Sequence, residues 1–292
     1  MASLKEIRNR IASVNSTTQI TSAMKMVSSS KLKKAQDAIC KLRPYSKKMQ
    51  ELLSNVSSNL DSEVGGEYVR KNEVNKVLLV VITSNRGLAG AFNSSVVKEV
   101  KNLIEIKYKN KQVEILTIGK KGYDILNRSS VIYKDYSNLW DSLTYEGVVE
   151  IAEELIDLFI TNKYDKIEFV YNQFKNAVIQ VLQVEQFLPL QIKEEKSNLE
   201  ANKNINIDYL FEPSKEEILT HLIPKTLKIQ LFKAILDSHA AEHGARMTAM
   251  QSATDNAESL KQDLVISYNK ARQASITNEL IEIVSGAQAL DN

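Results

Sequence analysis

The chain has 292 residues, of which 43% are hydrophobic and 25% charged, and its formal net charge is only +2. This length allows two domains with a sizeable buried core, and the balanced charge identifies no partner by itself. A single cysteine excludes an internal disulfide framework. The longest aliphatic run, Val77 to Ile82, is far shorter than the roughly 20 residues of a membrane span, so we expect a soluble or peripheral protein.

The first 64 residues predict a long amphipathic helix. They contain one proline, and glycine is absent from them, while apolar residues recur every three or four positions and so form one stripe. We expect Pro44 to kink or interrupt this helix, because proline lacks the N–H that an interior residue donates. The expected stripe comprises Leu4, Ile7, Ile11, Val14, Ile20, Met24, Val27, Leu32, Ala35, Ile39 and Leu42.

Positive charge is concentrated in the same segment. Residues 1–50 hold eleven Lys or Arg against only Glu6 and Asp37, an excess of nine positive charges. Such a segment suits nucleic acid, anionic lipid or an acidic protein surface, and an ordinary solvated face has the same composition. The charge alone does not decide between these partners.

The middle of the chain, residues 74–210, predicts a layered α/β domain. Because the first three strand-like runs alternate with helical patterns, we expect a largely parallel sheet, and the last two runs are close enough to form a hairpin. The strand-like runs are 76–83, 113–119, 165–174 and 178–189, and the helical patterns lie around 92–109 and 145–162.

The first of these strands ends in a loop with two glycines, TSNRGLAGAFN at residues 83–93. A dinucleotide fingerprint requires GxGxxG and a phosphate loop requires GxxxxGK[ST], whereas Gly87 and Gly90 stand as GxxG with no lysine after them. We therefore favour a strand-to-helix turn over a nucleotide site and expect no cofactor. Arg86 in this turn is either an ordinary solvated arginine or a cation offered to an external carboxylate.

Residues 214–292 are helical in pattern again, and 225–285 can form one continuous helix. A helix of that length needs a partner, and the simplest one is the N-terminal helix. We therefore expect an antiparallel coiled coil of the two terminal helices with the α/β domain inserted between them. The expected seam sets Ala253, Ala257, Leu260, Leu264, Ala271 and Ala274 against Thr17, Thr18, Thr21, Ser22, Ser28, Ser29 and Ser30.

The segment HAAEH, His239 to His243, fits the H-x-x-E-H pattern of certain zinc proteases. Such a site needs a third ligand and a cavity, whereas the continuing helix carries Glu258, Glu279 and Glu282 away along its axis. We therefore expect an exposed polar face here and no metal site. Since the sequence places no catalytic set of side chains with confidence, we do not expect the chain to be an enzyme by itself.

A family resemblance is carried by three stretches that follow one another along the whole chain. They are KEIRNRIASVNSTTQITSAMKMVSSSKLKKAQ, TSNRGLAGAFN and ARMTAMQSATDNAESLKQDLVISYNKARQASITNELIEIVSGAQAL. These stretches closely resemble the gamma subunits of F-type rotary ATP synthases. The resemblance implies a central rotor shaft whose paired helices stand inside a hexamer of alpha and beta subunits. It places the α/β domain near the epsilon subunit and the membrane c-ring, and it implies the delta subunit as a further partner.

The resemblance also implies subunit contacts at particular residues. The basic run that begins at Lys25 would lie where acidic loops of the beta subunits pass, together with Met24, whose alternative role is packing in the seam. Arg86, Arg272 and Gln273 would make transient polar contacts with the hexamer. The expected contacts are Met24, Lys25, Arg86, Arg272, Gln273 and Thr277.

The expected organisation is a shaft helix at 1–64, an α/β domain at 74–210 and a second shaft helix at 214–292. The chain starts at MASLKEIR without a presequence, which favours a bacterial protein attached peripherally to the cytoplasmic face of the inner membrane. Two alternatives remain open, a nucleotide-dependent α/β enzyme with helical arms and a basic coiled-coil protein that binds nucleic acid. The resemblance favours neither, and we expect no nucleic acid partner.

Overall fold

A computed structural model of the protein describes residues 4–57, 66–69, 73–190 and 215–290. The chain divides into two compact units, one formed by Met1–Ser29 with Arg246–Asn292 and the other by Ser30–Ala245. The expected domain boundaries at residues 64, 210 and 214 lie outside the described residues.

The described part of the chain contains six α-helices and five β-strands. The helices are α1 (Leu4–Ser57), α2 (Gly66–Val69), α3 (Phe92–Asn102), α4 (Lys120–Leu126), α5 (Tyr145–Ile160) and α6 (Lys215–Leu290). The strands are β1 (Lys76–Ile82), β2 (Gln112–Ile118), β3 (Val131–Asp135), β4 (Lys166–Phe174) and β5 (Gln180–Leu188). A π-helical turn, Leu103–Lys107, continues α3, and a 3-10 turn, Ser137–Trp140, follows β3.

The five strands form one sheet in the order β3-β2-β1-β4-β5. The first four strands are parallel, and β5 pairs antiparallel with β4, so the expected parallel sheet and closing hairpin are confirmed. Only Lys76 is exposed in β1, as expected for the central strand of a sheet that is covered on both faces. The sequence pattern missed β3 and α4 because β3 is a short, half-exposed edge strand and α4 has only 7 residues.

Alternation along β1 separates two apolar layers, one on each face of the sheet. Leu78 and Val80 face the layer formed with α5 and the first part of α6, which includes Leu155 and Leu231. Val77, Leu79 and Val81 face the layer that α3 covers. The terminal helix α6 therefore begins as part of the core of the inserted domain.

Helix α1 continues through Pro44 to Ser57, so the proline does not interrupt the helix, and the alternative of a kink stays a prediction. Pro44 is exposed, and the one helical hydrogen bond that it removes lies at the protein surface. On the opposite face, Ile39 and Met49 are buried. Packing on both sides of the proline therefore outweighs the lost hydrogen bond.

A buried ion pair ties α1 to the inserted domain. One terminal nitrogen of Arg43 donates to the Asp237 Oδ1 at 2.6 Å and to the Phe174 carbonyl at 2.7 Å, which joins α1, α6 and β4. Asp237 is fully buried, and its Oδ2 has no hydrogen-bond partner among the described residues. Burial raises the pKa of Asp237 above its ordinary value of 3.8, although Arg43 acts in the opposite direction.

We expect Arg43→Met to destabilise the protein more at about pH 7.5 than at about pH 5. Without Arg43 the pKa of Asp237 rises further, and a carboxyl with a raised pKa contributes stability at low pH that is lost as the pH rises through that pKa. The loss at neutral pH should be about 3 kcal/mol, because a buried charge is left unpaired. Urea unfolding at both pH values measures it. Asp237→Asn, which cannot titrate, is the control, and an equal loss for Arg43→Met at both pH values would contradict the argument.

Candidate subunit-contact surfaces

In the unit formed by the two chain ends, α6 presents a regular seam to α1. One row of its buried and half-buried residues, from Met250 to Ser275, recurs in alternating steps of four and three, which is the repeat of a coiled coil. They are Met250, Thr254, Ala257, Lys261, Leu264, Tyr268, Ala271 and Ser275. The expected coiled coil is thus confirmed, but two expected seam residues, Leu260 and Ala274, are exposed. The apolar spacing predicted wrong seam positions here because Lys261 and Tyr268, rather than aliphatic residues, occupy the seam.

The same correction applies to the facing part of α1. Thr18, Thr21 and Ser28 lie in the seam as expected, whereas Ile20 and Val27, which were assigned to the apolar stripe, are exposed. The other small polar residues assigned to the seam are also exposed, namely Thr17, Ser22 and Ser29, and so is Ser30 in the other unit. Because several buried positions of this segment are polar, its apolar residues do not all lie on the buried face.

Three polar contacts across the seam set its register. Arg8 donates to the Tyr268 hydroxyl at 3.2 Å, Lys261 donates to the Asn15 side-chain carbonyl at 2.8 Å, and the Thr21 and Thr254 hydroxyls lie 2.7 Å apart. A step forward along α1 is thus an equal step back along α6, so the helices are antiparallel. Continued to Leu4, where the described part of α1 begins, this register places Leu4 level with Arg272.

Beyond that level, α6 continues to Leu290, and its residues from Ile276 to Gly286 are exposed. No described residue of α1 lies level with this segment. Its large apolar side chains are between 49% and 68% exposed, and most of them follow the spacing of one helix face. They are Ile276, Leu280, Ile281, Ile283 and Val284. Exposed apolar patches of this kind mark protein contacts. The polar groups of the segment, on which the sequence-based expectation rested, do not reveal this patch.

The expected contact residues of this unit are at its surface. Lys25, Arg272, Gln273 and Thr277 are exposed, while Met24 is half-buried at the seam. The Thr277 hydroxyl donates to the Gln273 carbonyl at 2.9 Å, one helical turn earlier. The hydroxyl hydrogen of Thr277 is therefore engaged within the helix, and its oxygen can still accept.

In the other unit, the loop that carries Arg86 is held at both ends by side-chain amides. The Ser84 N–H donates to the Asn93 side-chain carbonyl at 3.0 Å, and the Asn93 amide donates to the Ser84 hydroxyl at 2.8 Å. Asn85 accepts from the Lys120 N–H and donates to the Ser137 carbonyl, both at 2.9 Å. The Arg86 side chain is exposed on this fixed turn.

The backbone of the loop explains one of its two glycines. Gly90 has φ 56°, a left-handed conformation that suits glycine, and the residue beside the other glycine, Leu88, has φ 63°. Leu88 thus adopts a conformation that is costly for a branched side chain, and its side chain is exposed. Gly87 has no positive φ, so its backbone conformation does not require glycine.

A buried hydrogen bond lies at the edge of the sheet where doubly wound folds bind phosphate. Such sites lie at the carboxyl ends of the strands where the strand order reverses, which here is between β1 and β4. Asn172 of β4 and Phe92 at the start of α3 are both buried there, and the Asn172 amide donates to the Phe92 carbonyl at 2.9 Å. This hydrogen bond joins β4 to the start of α3, directly after the loop.

The carboxyl ends of β1 and β2 are joined by Thr83. Its hydroxyl donates to the Gly119 carbonyl at 3.1 Å and accepts from the Gly122 N–H at 2.9 Å. Gly119 has φ 128°, and a Cβ placed on it would lie 2.1 Å from the Thr83 carbonyl oxygen. Only glycine fits at this position.

The expectation of an exposed polar face at HAAEH is wrong. Ala240, Ala241, Glu242 and His243 are buried and His239 is half-buried. Among the described residues, no group of three His, Cys, Asp or Glu side chains is arranged to hold a metal ion. In the same part of the chain, no helix is both long and apolar enough to cross a bilayer.

The fold and these surfaces define a class of protein in which the two terminal helices pair with each other. A doubly wound α/β domain is inserted between them in the sequence. The model of a family described as ATP synthase matches residues 3–290. The ATP synthase gamma chain of Flavobacterium johnsoniae is 59% identical over 291 residues, and that of Christiangramia forsetii is 56% identical, with 100% of both chains covered in each comparison. The chain belongs to the ATP synthase gamma chain family.

Solved structures show the same fold. A chain in the central stalk and c-ring structure of the Tetrahymena thermophila mitochondrial ATP synthase is 26% identical, with a TM-score of 0.58 over 80% of this chain and 99% of that one. A chain in the rotor of the Euglena gracilis mitochondrial ATP synthase is 19% identical, with a TM-score of 0.64 over 94% and 98% of the two chains. The expected combination of terminal helices with an inserted Rossmann-like domain is thereby confirmed.

We expect Gly119→Ala to lower the stability of the protein by at least about 2 kcal/mol, because its Cβ meets backbone at a positive φ. Gly286→Ala is the matched control, since Gly286 is exposed in α6 and a Cβ there has open space. This control should stabilise the helix by about 0.5–1 kcal/mol. Thermal unfolding of the isolated chain measures both changes, and equal midpoints for the two variants would contradict the assigned close approach.

Proposed function

We propose that this chain is the central rotor shaft of a rotary ATP synthase. As a gamma chain it is a non-catalytic subunit, and ATP is made or hydrolysed on the beta subunits. The observation that carries the proposal is the match to gamma chains along the whole length, on a chain whose two ends pair as a coiled coil. Ion flow turns the membrane ring and the shaft, and the asymmetry of the shaft moves the beta sites through their binding states in turn.

Two kinds of surface on the chain ends suit a shaft that turns inside a collar. The exposed apolar residues between Ile276 and Val284 can be covered by the collar without a fixed angle, because apolar contact is not directional. Polar groups such as Arg272 and Gln273 form directed contacts that favour particular angles. A charge-assisted contact contributes a few kcal/mol at most, so it biases an angle without locking it.

The remaining contact residues are proposed on the same basis. Lys25 is exposed on α1 and would meet acidic loops of the beta subunits, with Met24 packing at the edge of the seam beneath it. Arg86 would contact the hexamer from its fixed turn. Thr277 would accept a hydrogen bond from a neighbouring subunit, because its own hydrogen is engaged with Gln273.

The proposed domain organisation follows from the proposed role of the chain as a rotor shaft. Residues 1–64 and 214–292 form the shaft helices inside the hexamer of alpha and beta subunits. Residues 74–210 form the domain that meets the epsilon subunit and the c-ring, and the delta subunit is a further partner in the complex. The relatives are bacterial gamma chains, which supports a peripheral position on the cytoplasmic face of a bacterial inner membrane.

We expect Arg272→Ala to change the turnover of the assembled complex without preventing its assembly. If Arg272 biases one angle by about 1 kcal/mol, ATP hydrolysis should change by roughly fivefold. Arg128→Ala is the matched control, because Arg128 is exposed in the inserted domain and is not a proposed contact. ATP hydrolysis and ATP-driven ion pumping are measured on complexes that contain each variant.

Two outcomes would contradict the proposal, one in part and one as a whole. If the Arg272→Ala complex behaves like the Arg128→Ala complex, the contact at Arg272 is wrong while the shaft stands. If the chain never joins a hexamer of alpha and beta subunits, the shaft itself is wrong. ATP hydrolysis by the isolated chain would instead favour the enzyme alternative, and binding to DNA that weakens steeply with salt would favour the nucleic-acid alternative.

A further inference from the structure

The hairpin between β4 and β5 projects beyond the middle of the sheet. Val81 of β1 pairs with Val170, and β1 ends at the next residue, whereas β4 continues to Phe174 before the chain turns back. The hairpin turn comprises residues 175–179 and connects β4 to β5. None of the proposed contact residues lies on it, so the proposed shaft contacts leave this projection without a role.

The hairpin turn is held in one conformation. The Asn176 side-chain carbonyl accepts hydrogen bonds from the N–H groups of Val178, at 3.0 Å, and Ile179, at 2.6 Å. The Asn176 N–H donates to the Ile179 carbonyl at 3.2 Å. The turn also packs closely on α6, because a Cβ placed on Gly244 would lie 3.2 Å from the Ala177 carbonyl oxygen. The turn and this part of α6, which belong to the same unit, are therefore fixed to each other.

The surface of the hairpin turn combines apolar side chains with a positive charge. Val178 is 71% exposed and Ile179 is 48% exposed. Lys175, at the start of the turn, is exposed as well. Exposed apolar groups that are already held in place lose little freedom when a partner covers them. This combination suits a protein segment that carries carboxylates beside apolar side chains.

The hairpin turn shares an edge of the sheet with a contact that is already proposed. Since β1 and β4 are parallel neighbours, their carboxyl ends lie at the same edge. The turn that carries Arg86 follows β1 there, and the hairpin turn follows β4. On α6, Gly244 precedes Met250, the first residue of the seam, by less than two helical turns. The hairpin turn is thus continuous with the surface proposed to meet the hexamer.

Basic residues of α1 lie level with the hairpin turn. Arg43 of α1 contacts Asp237 of α6, and the two helices are antiparallel. An equal step of seven residues, from 237 to 244 and from 43 to 36, therefore places Gln36 level with Gly244. Lysines outnumber acidic residues on α1 around this level, and the exposed charged residues there are Lys31, Lys33, Lys34 and Asp37. An acidic partner is favoured at this level of the molecule.

We propose that the hairpin turn is a further contact of the shaft with the hexamer of alpha and beta subunits, and that it meets an acidic segment of that collar. The inference rests on the proposed function and extends the contact to a projection of the inserted domain. Lys175 attracts the segment, and Val178 and Ile179 add apolar contact that does not fix an angle. A turn that keeps its conformation can meet each passing segment of the collar in the same way as the shaft rotates.

Photo-crosslinking in the assembled complex identifies the partner. A chain with Val178→p-benzoylphenylalanine should give a crosslinked product with an alpha or beta subunit. Val131→p-benzoylphenylalanine is the matched control, because Val131 is 64% exposed in the same unit but begins β3 at the opposite edge of the sheet. The control should give no product with the hexamer. A Val178 product with only the epsilon subunit or the c-ring, or equal hexamer products from both positions, would overturn the proposal.

A pair of charged variants tests the chemistry of the partner. Val178→Asp places a negative charge against the proposed acidic segment, and like charges repel strongly at a contact. It should change ATP hydrolysis by the complex roughly fivefold, whereas Val178→Lys should change it less than about twofold. Val131→Asp is the control for an added surface charge and should have no effect. Equal effects of Val178→Asp and Val178→Lys would overturn the acidic partner.

The outcome distinguishes this contact from the shaft function itself. If the unmodified chain never joins a hexamer, the shaft is wrong and the contact is wrong with it. If the complex assembles and hydrolyses ATP but the Val178 variant gives no crosslinked product with alpha or beta, only the contact at the hairpin turn is wrong. Assembly together with a crosslinked product of the Val178 variant alone is the expected result.

Discussion

The constraint on which this structure depends is the length of α6. A helix of 76 residues cannot bury its apolar surface against itself, so each part of it requires a different cover. Near its start, Leu227 and Leu231 pack in the core of the α/β domain. From Met250 to Ser275 the seam faces α1, and beyond that level no described residue of the chain provides a cover. The last part of the helix thus differs from the two parts before it in having no cover among the described residues.

The seam between α1 and α6 has the repeat of a coiled coil but only part of its usual chemistry. Apolar pairs dominate ordinary seams, whereas here hydroxyl groups meet at Thr21 and Thr254 and a lysine meets an amide at Lys261 and Asn15. Directed contacts of this kind specify register more than they add stability, since each replaces hydrogen bonds to water. The two helices are thus held at one register by a seam that buries little apolar area.

The sequence predicted those parts of the fold that rest on a regular pattern. The buried strand from Val77 to Ile82, the closing hairpin and both terminal helices all follow from periodicity over many residues. The pattern failed where tertiary packing decides the outcome. At Pro44, burial on either side carries the helix through a proline. At HAAEH, four of the five residues are buried although two of the four are charged or polar, and no local pattern reveals the packing that covers them.

The candidate contact surface likewise has one part that the sequence predicted and one part that it did not predict. Arg272, Gln273 and Lys25 could be named from the sequence through the family resemblance, and they are exposed. The apolar stripe from Ile276 to Val284 required the register of the coiled coil, because only that register shows where the cover supplied by α1 ends. Its spacing was present in the sequence, but apolar spacing alone is equally typical of a buried helix face. Exposure distinguishes a face that another subunit must cover from a face that the chain covers itself.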